Sequence, residues 1–131
     1  LVYGKCAKYE QVFTSTGLCK FLLFTGGIFP MIDFVAAATG WDFTPAEVLV
    51  AGERIQAMRQ LFNLREGIDP KQFRLPLRVS QPATMGPYKD VPQDFDLLRR
   101  QYYEALGWDV ETGHPIKARL EELGLQDLVS R

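Results

Sequence analysis

The chain has 131 residues, of which 47% are hydrophobic and 24% are charged, and its formal net charge is −1. This length fits one domain, or two very small ones, and allows a hydrophobic core without disulfide bonds. The balance of 15 basic against 16 acidic residues, with no run of Lys or Arg, argues against a nucleic-acid partner. The most apolar stretches, residues 21–24 and 29–38, are shorter than the ~20 residues that cross a membrane, so no membrane partner is expected.

The start of the chain and its cysteine content set two further expectations. The sequence begins at Leu1 with no initiating Met and no targeting signal, and we expect it to be a piece of a longer protein. The two cysteines, Cys6 and Cys19, are too few for a disulfide scaffold.

Two helices are predicted in the first 40 residues. The first covers residues 6–13 and is followed by a tight turn at Gly17 and a short apolar stretch. The second covers residues 31–39, because Pro30 suits the first helical position and Gly40 suits the left-handed residue that stops a helix.

The third predicted helix is the longest and forms the centre of the fold. Thr44 is followed by a proline and, three residues on, by Glu47, which is the pattern of a capping box at a helix start. Gly67 supplies the stop, so the helix is about 30 Å long. Apolar residues recur at helical spacing between these ends, namely Val48, Leu49, Ala51, Gly52, Ile55, Met58, Leu61 and Phe62.

The remainder of the chain is predicted to be a loop followed by two shorter helices. Residues 68–92 contain several prolines and little periodicity, which indicates a long segment without regular structure. Helical pattern returns at Asp94 and ends at Gly107, and Pro115 opens a last helix that precedes an amphipathic tail over residues 125–129. Strand-like alternation is nearly absent. The predicted fold class is therefore all-α, an irregular multi-helical domain with a long central helix and one long proline-containing loop.

Cys19 is the residue whose chemistry is most informative. It lies in the turn directly after Gly17 and Leu18, with Lys20 beside it, and such a turn offers exposure and nearby backbone amides to a thiolate ligand. One cysteine cannot hold a metal cluster, so the residues by themselves favour a buried structural role for Cys19 and, in its helical stretch, for Cys6. His114, between a glycine and a proline, is interpreted as a turn residue, and no catalytic residue is predicted.

Several motifs, which follow one another in a fixed order, indicate a protein family. They are Gly17-Leu18-Cys19-Lys20-Phe21, Gly52-Glu53-Arg54-Ile55, Leu61-Phe62-Asn63-Leu64-Arg65-Glu66-Gly67, Leu75-Pro76-Leu77-Arg78, Tyr102-Tyr103 with Gly107-Trp108-Asp109, and Leu120-Glu121-Glu122-Leu123-Gly124-Leu125. In this order and spacing, the chain from about Ala7 onward resembles the C-terminal part of the tungsten-containing aldehyde ferredoxin oxidoreductases.

The resemblance implies a function for the protein from which the chain comes. Such an enzyme oxidises aldehydes to carboxylic acids and passes electrons to ferredoxin, using tungsten (or molybdenum) held by two pterins and a [4Fe-4S] cluster. Residues 1–131 are then the C-terminal helical domain that covers the cofactor beside the N-terminal domains of the same protein. The fragment is inactive alone, the location is cytoplasmic, and the full-length protein can form a homodimer.

The resemblance also implies roles for individual residues. The family motif D-x-x-G-L-C places the fourth ligand of the [4Fe-4S] cluster at Cys19 and brings Gly17 and Leu18 close to a pterin. The motif's aspartate, which contacts a pterin, is replaced here by Thr14. Thr14 lacks the charge that would bind two pterin N–H groups strongly.

The replacement at Thr14 leaves alternatives open. One is a non-catalytic helical interaction module that kept the fold after losing cofactor function. Another is a family subunit that acts on a different carbonyl or thioester substrate.

The remaining motif residues are interpreted as architectural. Asn63 and Arg65 are expected to tie down the loop over residues 68–92, and Trp108 with Asp109 to fix the corner after the penultimate helix. Pro76 and Arg78 would lie in a loop that, in the family, lines the route to the active site.

Overall fold

The computed structural model describes residues 2–24 and 30–128, which form α-helices joined by turns and short 3₁₀ segments. The α-helices are α1 (Val2–Ser15), α2 (Met31–Thr39), α3 (Pro45–Arg65), α4 (Leu77–Ser80), α5 (Phe95–Ala105) and α6 (Lys117–Glu122). The 3₁₀ segments are Lys20–Phe24, Pro70–Gln72 and Gln126–Leu128. β-structure in these described ranges is limited to isolated bridges, so the predicted all-α class is confirmed.

The start of α3 has the predicted capping box. The Oγ1 atom of Thr44 accepts a hydrogen bond from the Glu47 N–H at 3.2 Å, and a Glu47 carboxylate oxygen accepts one from the Thr44 N–H at 2.8 Å. Hydrogen bonds from the backbone and then the side chain of Thr44 lower the pKa of Glu47 below its ordinary value. At the other end, Gly67 adopts φ +78°, as the predicted stop requires.

Two predicted helix starts near the beginning of the chain differ from the structure. Helix α1 begins at Val2 instead of residue 6, because Gly4 packs so closely on α5 that an added Cβ would lie 2.8 Å from the Ala105 Cβ. This tertiary contact overrides the low helix propensity of glycine. Pro30 precedes α2 as its N-cap instead of occupying the first helical position. Val129, at the end of the predicted tail, lies outside the described residues.

The last helix also begins later than predicted. Residues 114–116 are extended and pair with residues 107–109, through hydrogen bonds from the Asp109 N–H to the His114 carbonyl (2.8 Å) and from the Ile116 N–H to the Gly107 carbonyl (3.2 Å). Pro115 forms part of this bridge, so α6 begins only at Lys117.

Among the described residues, two apolar clusters of the core share α3. In one, Phe13, Met31 and Val48 join the end of α1 to α2 and to the first turn of α3. In the other, Ala57 of α3 meets residues of α6 and the following tail, namely Leu120, Leu123 and Leu125. Helix α3 is covered on more than one side, so its buried residues do not form the single apolar stripe that was predicted. Two residues of the predicted apolar set, Met58 and Phe62, are instead 47% and 54% exposed.

Gly52 is a point of very close approach between α1 and α3. A Cβ atom at this position would lie 1.8 Å from the carbonyl oxygen of Lys8, which is inside any allowed contact distance. The glycine therefore brings the backbone of α1 directly against α3.

Residues 68–92 are mostly irregular, as predicted, with one 3₁₀ turn and the single turn of α4. Most of these residues are also exposed. The Asn63 carbonyl accepts a hydrogen bond from the Ile68 N–H at 2.9 Å and so holds the start of this segment. The side chain of Arg65 instead pairs with Glu66 and lies over the ring of Phe62. The expected contribution of Arg65 to the loop is therefore not made by its side chain.

The corner after α5 is fixed as predicted. Trp108 is buried, and the Oδ1 atom of Asp109 accepts hydrogen bonds from the N–H of Glu111 and from both the N–H and the hydroxyl of Thr112. These hydrogen bonds, with that of the Thr112 side chain the strongest, lower the pKa of Asp109.

Candidate functional site

The predicted cluster ligand, Cys19, lies between the end of α1 and the first 3₁₀ segment. The Gly17 N–H donates to the Thr14 carbonyl at 3.2 Å, and Gly17 then turns the chain with φ +79°. Past the turn, the carbonyl of Cys19 accepts from the Leu22 N–H at 2.9 Å and begins the next segment. The Cys19 side chain is exposed on this turn, which contradicts the buried structural role favoured by the residues alone.

Leu18 anchors the turn to the hydrophobic core. Its side chain is partly buried against the cluster of Phe13, Met31 and Val48. Among the described residues, no atom lies within 4 Å of the position that a Cβ of Gly17 would take. The Leu18 side chain is thus directed at least partly to the core, whereas the described residues leave the Gly17 backbone uncovered.

Thr14 lies in the last turn of α1 and is exposed. Its hydroxyl donates to the carbonyl of Glu10 at 2.9 Å and also contacts the carbonyl of Gln11 at 3.2 Å. Because the proton of the hydroxyl is used within the helix, the Thr14 oxygen can only accept a hydrogen bond from a ligand. An N–H group of a pterin is a donor and matches that remaining capacity, although with one acceptor atom in place of a carboxylate.

A charged pair flanks the turn. The Lys20 ammonium lies 2.5 Å from a carboxylate oxygen of Glu10, and both side chains reach solvent. The positive charge next to Cys19 is thus partly balanced by α1 itself.

Cys19 is the member of the predicted set with the donor chemistry of a metal ligand. Across residues 2–24 and 30–128, no group of three or more His, Cys, Asp and Glu side chains is placed to hold a metal ion. Cys6 is exposed on α1, so the expectation that it is a buried structural cysteine is wrong. The exposure of the Cys19 thiol on an anchored glycine turn leaves its sulfur accessible, and its role as a cluster ligand stays a prediction.

A buried carboxylate that belongs to one of the sequence motifs, but for which no role was predicted, joins three helices. Glu53 is 3% exposed, and its two oxygens accept from Lys8 Nζ at 2.6 Å and from Arg119 Nε at 2.5 Å. Burial acts to raise the pKa of Glu53, but the hydrogen bonds from Arg119 and Lys8 together outweigh it, and the pKa is lowered. Arg119 is also paired with Glu122, and these bonds, led by that to Glu53, raise the pKa of Arg119.

Two concave surfaces lie away from the Cys19 turn. One is a cavity of about 420 Å³ in which Gln56 donates to the hydroxyl of Tyr102 and Gln60 donates to the Gly113 carbonyl at 2.9 Å. Burial, and then the neighbouring Tyr3, raise the pKa of Tyr102 to about 12. The other is a shallow groove of about 1370 Å³ between α5 and the irregular segment.

Two other predicted residues, Pro76 and Arg78, are exposed at the start of α4. Their suggested place on a route to an active site stays a prediction. No helix in the described part of the chain is long and apolar enough to cross a membrane.

Comparison with known proteins gives one family and several relatives. Residues 3–125 match the family described as aldehyde ferredoxin oxidoreductase, domains 2 and 3. A tungsten-containing aldehyde ferredoxin oxidoreductase of Pyrococcus furiosus is 40% identical over 115 residues, which is 86% of this chain and 19% of that protein. Proteins of the same name are 38% identical in Pyrococcus horikoshii and 37% in Thermococcus kodakarensis, over 90% and 88% of this chain. The chain spans about a fifth of the length of these relatives.

Proposed function

Because the chain belongs to the aldehyde ferredoxin oxidoreductase family, we propose that it is the C-terminal part of an oxidoreductase that oxidises aldehydes to carboxylic acids with ferredoxin as electron acceptor. In this proposal residues 1–131 cover the cofactor, supply one cluster ligand and are inactive alone. The observation that carries it is the exposed thiol of Cys19 on a glycine turn that Leu18 anchors to the core.

Cys19 is proposed as the fourth ligand of a [4Fe-4S] cluster. Its exposure leaves the sulfur accessible to iron, and the 3₁₀ segment that begins at its carbonyl fixes its backbone. The remaining cysteine ligands must come from another part of the full-length protein, because the described part of the chain holds no further cluster of metal-binding side chains.

The surface beside Cys19 is proposed to face a pterin of the tungsten (or molybdenum) cofactor. Gly17 presents open backbone there, Leu18 contributes its peptide group, and Thr14 offers one acceptor oxygen. When bound, the metal cofactor supplies the two-electron oxidation of the aldehyde. The residues of this chain are proposed to hold and orient the cofactor, and none of them is proposed to take part in the chemical step.

The N-terminal domains of the same protein are the proposed cover for the exposed apolar side chains. Leu77, Met85 and Phe21 are 82%, 80% and 77% exposed. Large apolar side chains exposed to this extent are candidates for an interaction surface. About four-fifths of the residues of the relatives lie outside the match. In this proposal the corresponding part of the full-length protein covers these side chains.

The cluster-ligand role is tested by replacing Cys19 with alanine in the full-length protein. We expect the variant to lose the electron paramagnetic resonance (EPR) signal of the reduced four-iron cluster and most of its iron. Aldehyde-dependent reduction of a viologen dye should fall by more than about tenfold, because even the outer partners of metal ligands contribute 10–100-fold. Iron and tungsten contents and the EPR spectrum are measured on the same preparation.

The matched control is Cys6→Ala, because Cys6 is the other exposed cysteine of the chain. It should keep full iron content and activity. Unchanged iron and EPR signal in the Cys19→Ala protein would show that Cys19 is not a ligand and would remove the proposed function of this turn.

A further inference from the structure

The Gly52-Glu53 pair at the middle of α3 is a conspicuous structural feature that the proposed function does not use. Gly52 lets the backbone of α1 approach at Lys8 to a distance that no other residue permits. On the next residue, Glu53 receives the ammonium of Lys8 itself. The same stretch of α1 is thus fixed to α3 by a steric contact and by an ion pair.

The ion pair is part of a network of three segments. Glu53 is almost fully buried and binds Arg119 of α6 as well as Lys8 of α1. Its carboxylate therefore joins two residues that lie 66 and 45 positions from it in the sequence. A buried carboxylate with two cationic partners has little freedom, because any movement of one partner leaves a charge uncompensated. The network therefore sets where α1 lies relative to α3 and α6.

The position of α1 is passed directly to the Cys19 turn. Lys8 and Phe13 both belong to the continuous helix α1, and the turn begins immediately after its last residue, Ser15. The contact of Phe13 with Met31 and Val48 fixes the end of the helix laterally, while the Lys8 contacts fix the middle of the helix against α3. A shift of α1 consequently moves Cys19 with it.

We infer that Gly52 and Glu53 are positioning residues that place Cys19, through α1, for its role as cluster ligand. The inference rests on the proposed function of Cys19. Neither residue lies in the turn itself, and their action is carried by Lys8 and the body of α1.

The test compares the cluster in variants of the full-length protein. Glu53→Gln removes the charge that holds Lys8 and Arg119, whereas Gly52→Ala leaves every charge in place and forces α1 away from α3. We expect both variants to assemble a cluster but to shift its principal g values and its midpoint potential, because cluster properties depend on ligand geometry and solvent exposure. A change shared by the two variants cannot be an effect of charge alone.

Two controls separate positioning from loss of charge and from loss of stability. Glu122→Gln removes a carboxylate that also pairs with Arg119 but is exposed and belongs to α6 itself. Leu125→Ala weakens the apolar cluster around Ala57, on the α6 side of α3. Both should leave the g values and the potential as in the unmodified protein, although Leu125→Ala lowers the melting temperature.

The outcomes decide between the inference and the function on which it rests. If Cys19→Ala retains the cluster, the proposed function fails. If Cys19→Ala loses the cluster but Glu53→Gln and Gly52→Ala show unaltered spectra and potentials, the inference alone is overturned. If Glu53→Gln does not accumulate as folded protein, Lys8→Met, which keeps the Glu53–Arg119 pair, takes its place with the same expected shift.

Discussion

Cys19 and Glu53 illustrate how differently single residues can be interpreted from sequence. The turn that presents Cys19 was predicted, because the conformation of Gly17 and the break in helical pattern are local properties. The burial of Glu53 was not, because its partners lie 45 and 66 residues away and a helical pattern carries no information about them. Exposure of Cys6 was missed for the same reason, since it depends on what packs against α1.

Glu53 is expected to make the stability of the protein depend on pH. Its pKa in the folded chain lies below the ordinary value of 4.5 that applies to the unfolded chain. The stabilisation is therefore complete above the unfolded pKa and is lost as the pH falls through the folded pKa. Urea unfolding at a series of pH values should show a free energy of unfolding that declines below about pH 4.5.

The Glu53→Gln variant isolates the part of this decline that belongs to Glu53. It should be less stable at pH 7, because Lys8 and Arg119 lose their shared counter-charge, and its stability should fall less steeply in acid. Other carboxylates, including that of Glu47, titrate equally in both proteins. Parallel pH profiles would contradict the role assigned to the buried carboxylate.

Among the secondary-structure elements, the ends set by local chemistry were predicted and those set by tertiary contacts were not. The capping box at Thr44 and the left-handed residues Gly40 and Gly67 lie where the sequence indicates. The start of α1 depends on the contact of Gly4 with α5, and the start of α6 depends on the bridge at Pro115. Such pairings bring together residues far apart in the chain, which no short motif records.

The cap of α3 is expected to contribute measurably to stability. Thr44→Ala removes the acceptor of the Glu47 N–H and should lower the free energy of unfolding by about 1 kcal/mol, measured as a lower urea midpoint. Ser80→Ala is the control, because the Ser80 hydroxyl is also exposed but only donates to the Leu77 carbonyl within its own turn. Its effect should stay within about 0.5 kcal/mol, and an equal effect of both substitutions would argue against the cap.

At the scale of the whole molecule, the apolar surface is unusually exposed. Phe73, Leu75 and Leu77 are each more than half exposed, and they lie in the irregular segment over residues 68–92. The sequence predicted that this segment lacks regular structure. It could not show which side chains remain uncovered, because that depends on contacts between residues far apart in the chain.

Methionine oxidation measures this exposure residue by residue. In the isolated chain treated with hydrogen peroxide, Met85 (80% exposed) should react first, Met58 (47%) next and Met31 (1%) last. In the full-length protein the reaction of Met85 should be several-fold slower if the N-terminal domains cover it. Peptide mapping by mass spectrometry provides the rates, and Met31 controls for an intact core. An equal rate at Met85 in both proteins would count against the proposed cover.

The buried Glu53 network has a consequence for how the protein is made. Arg119 follows Glu53 by 66 residues, so α1 and α3 are both synthesised well before the second cationic partner of the Glu53 carboxylate. The network joins all three helices, and it can be completed only after α6 has been made. Docking of α6 on α3 through Glu53 therefore cannot precede the synthesis of residues 117–122.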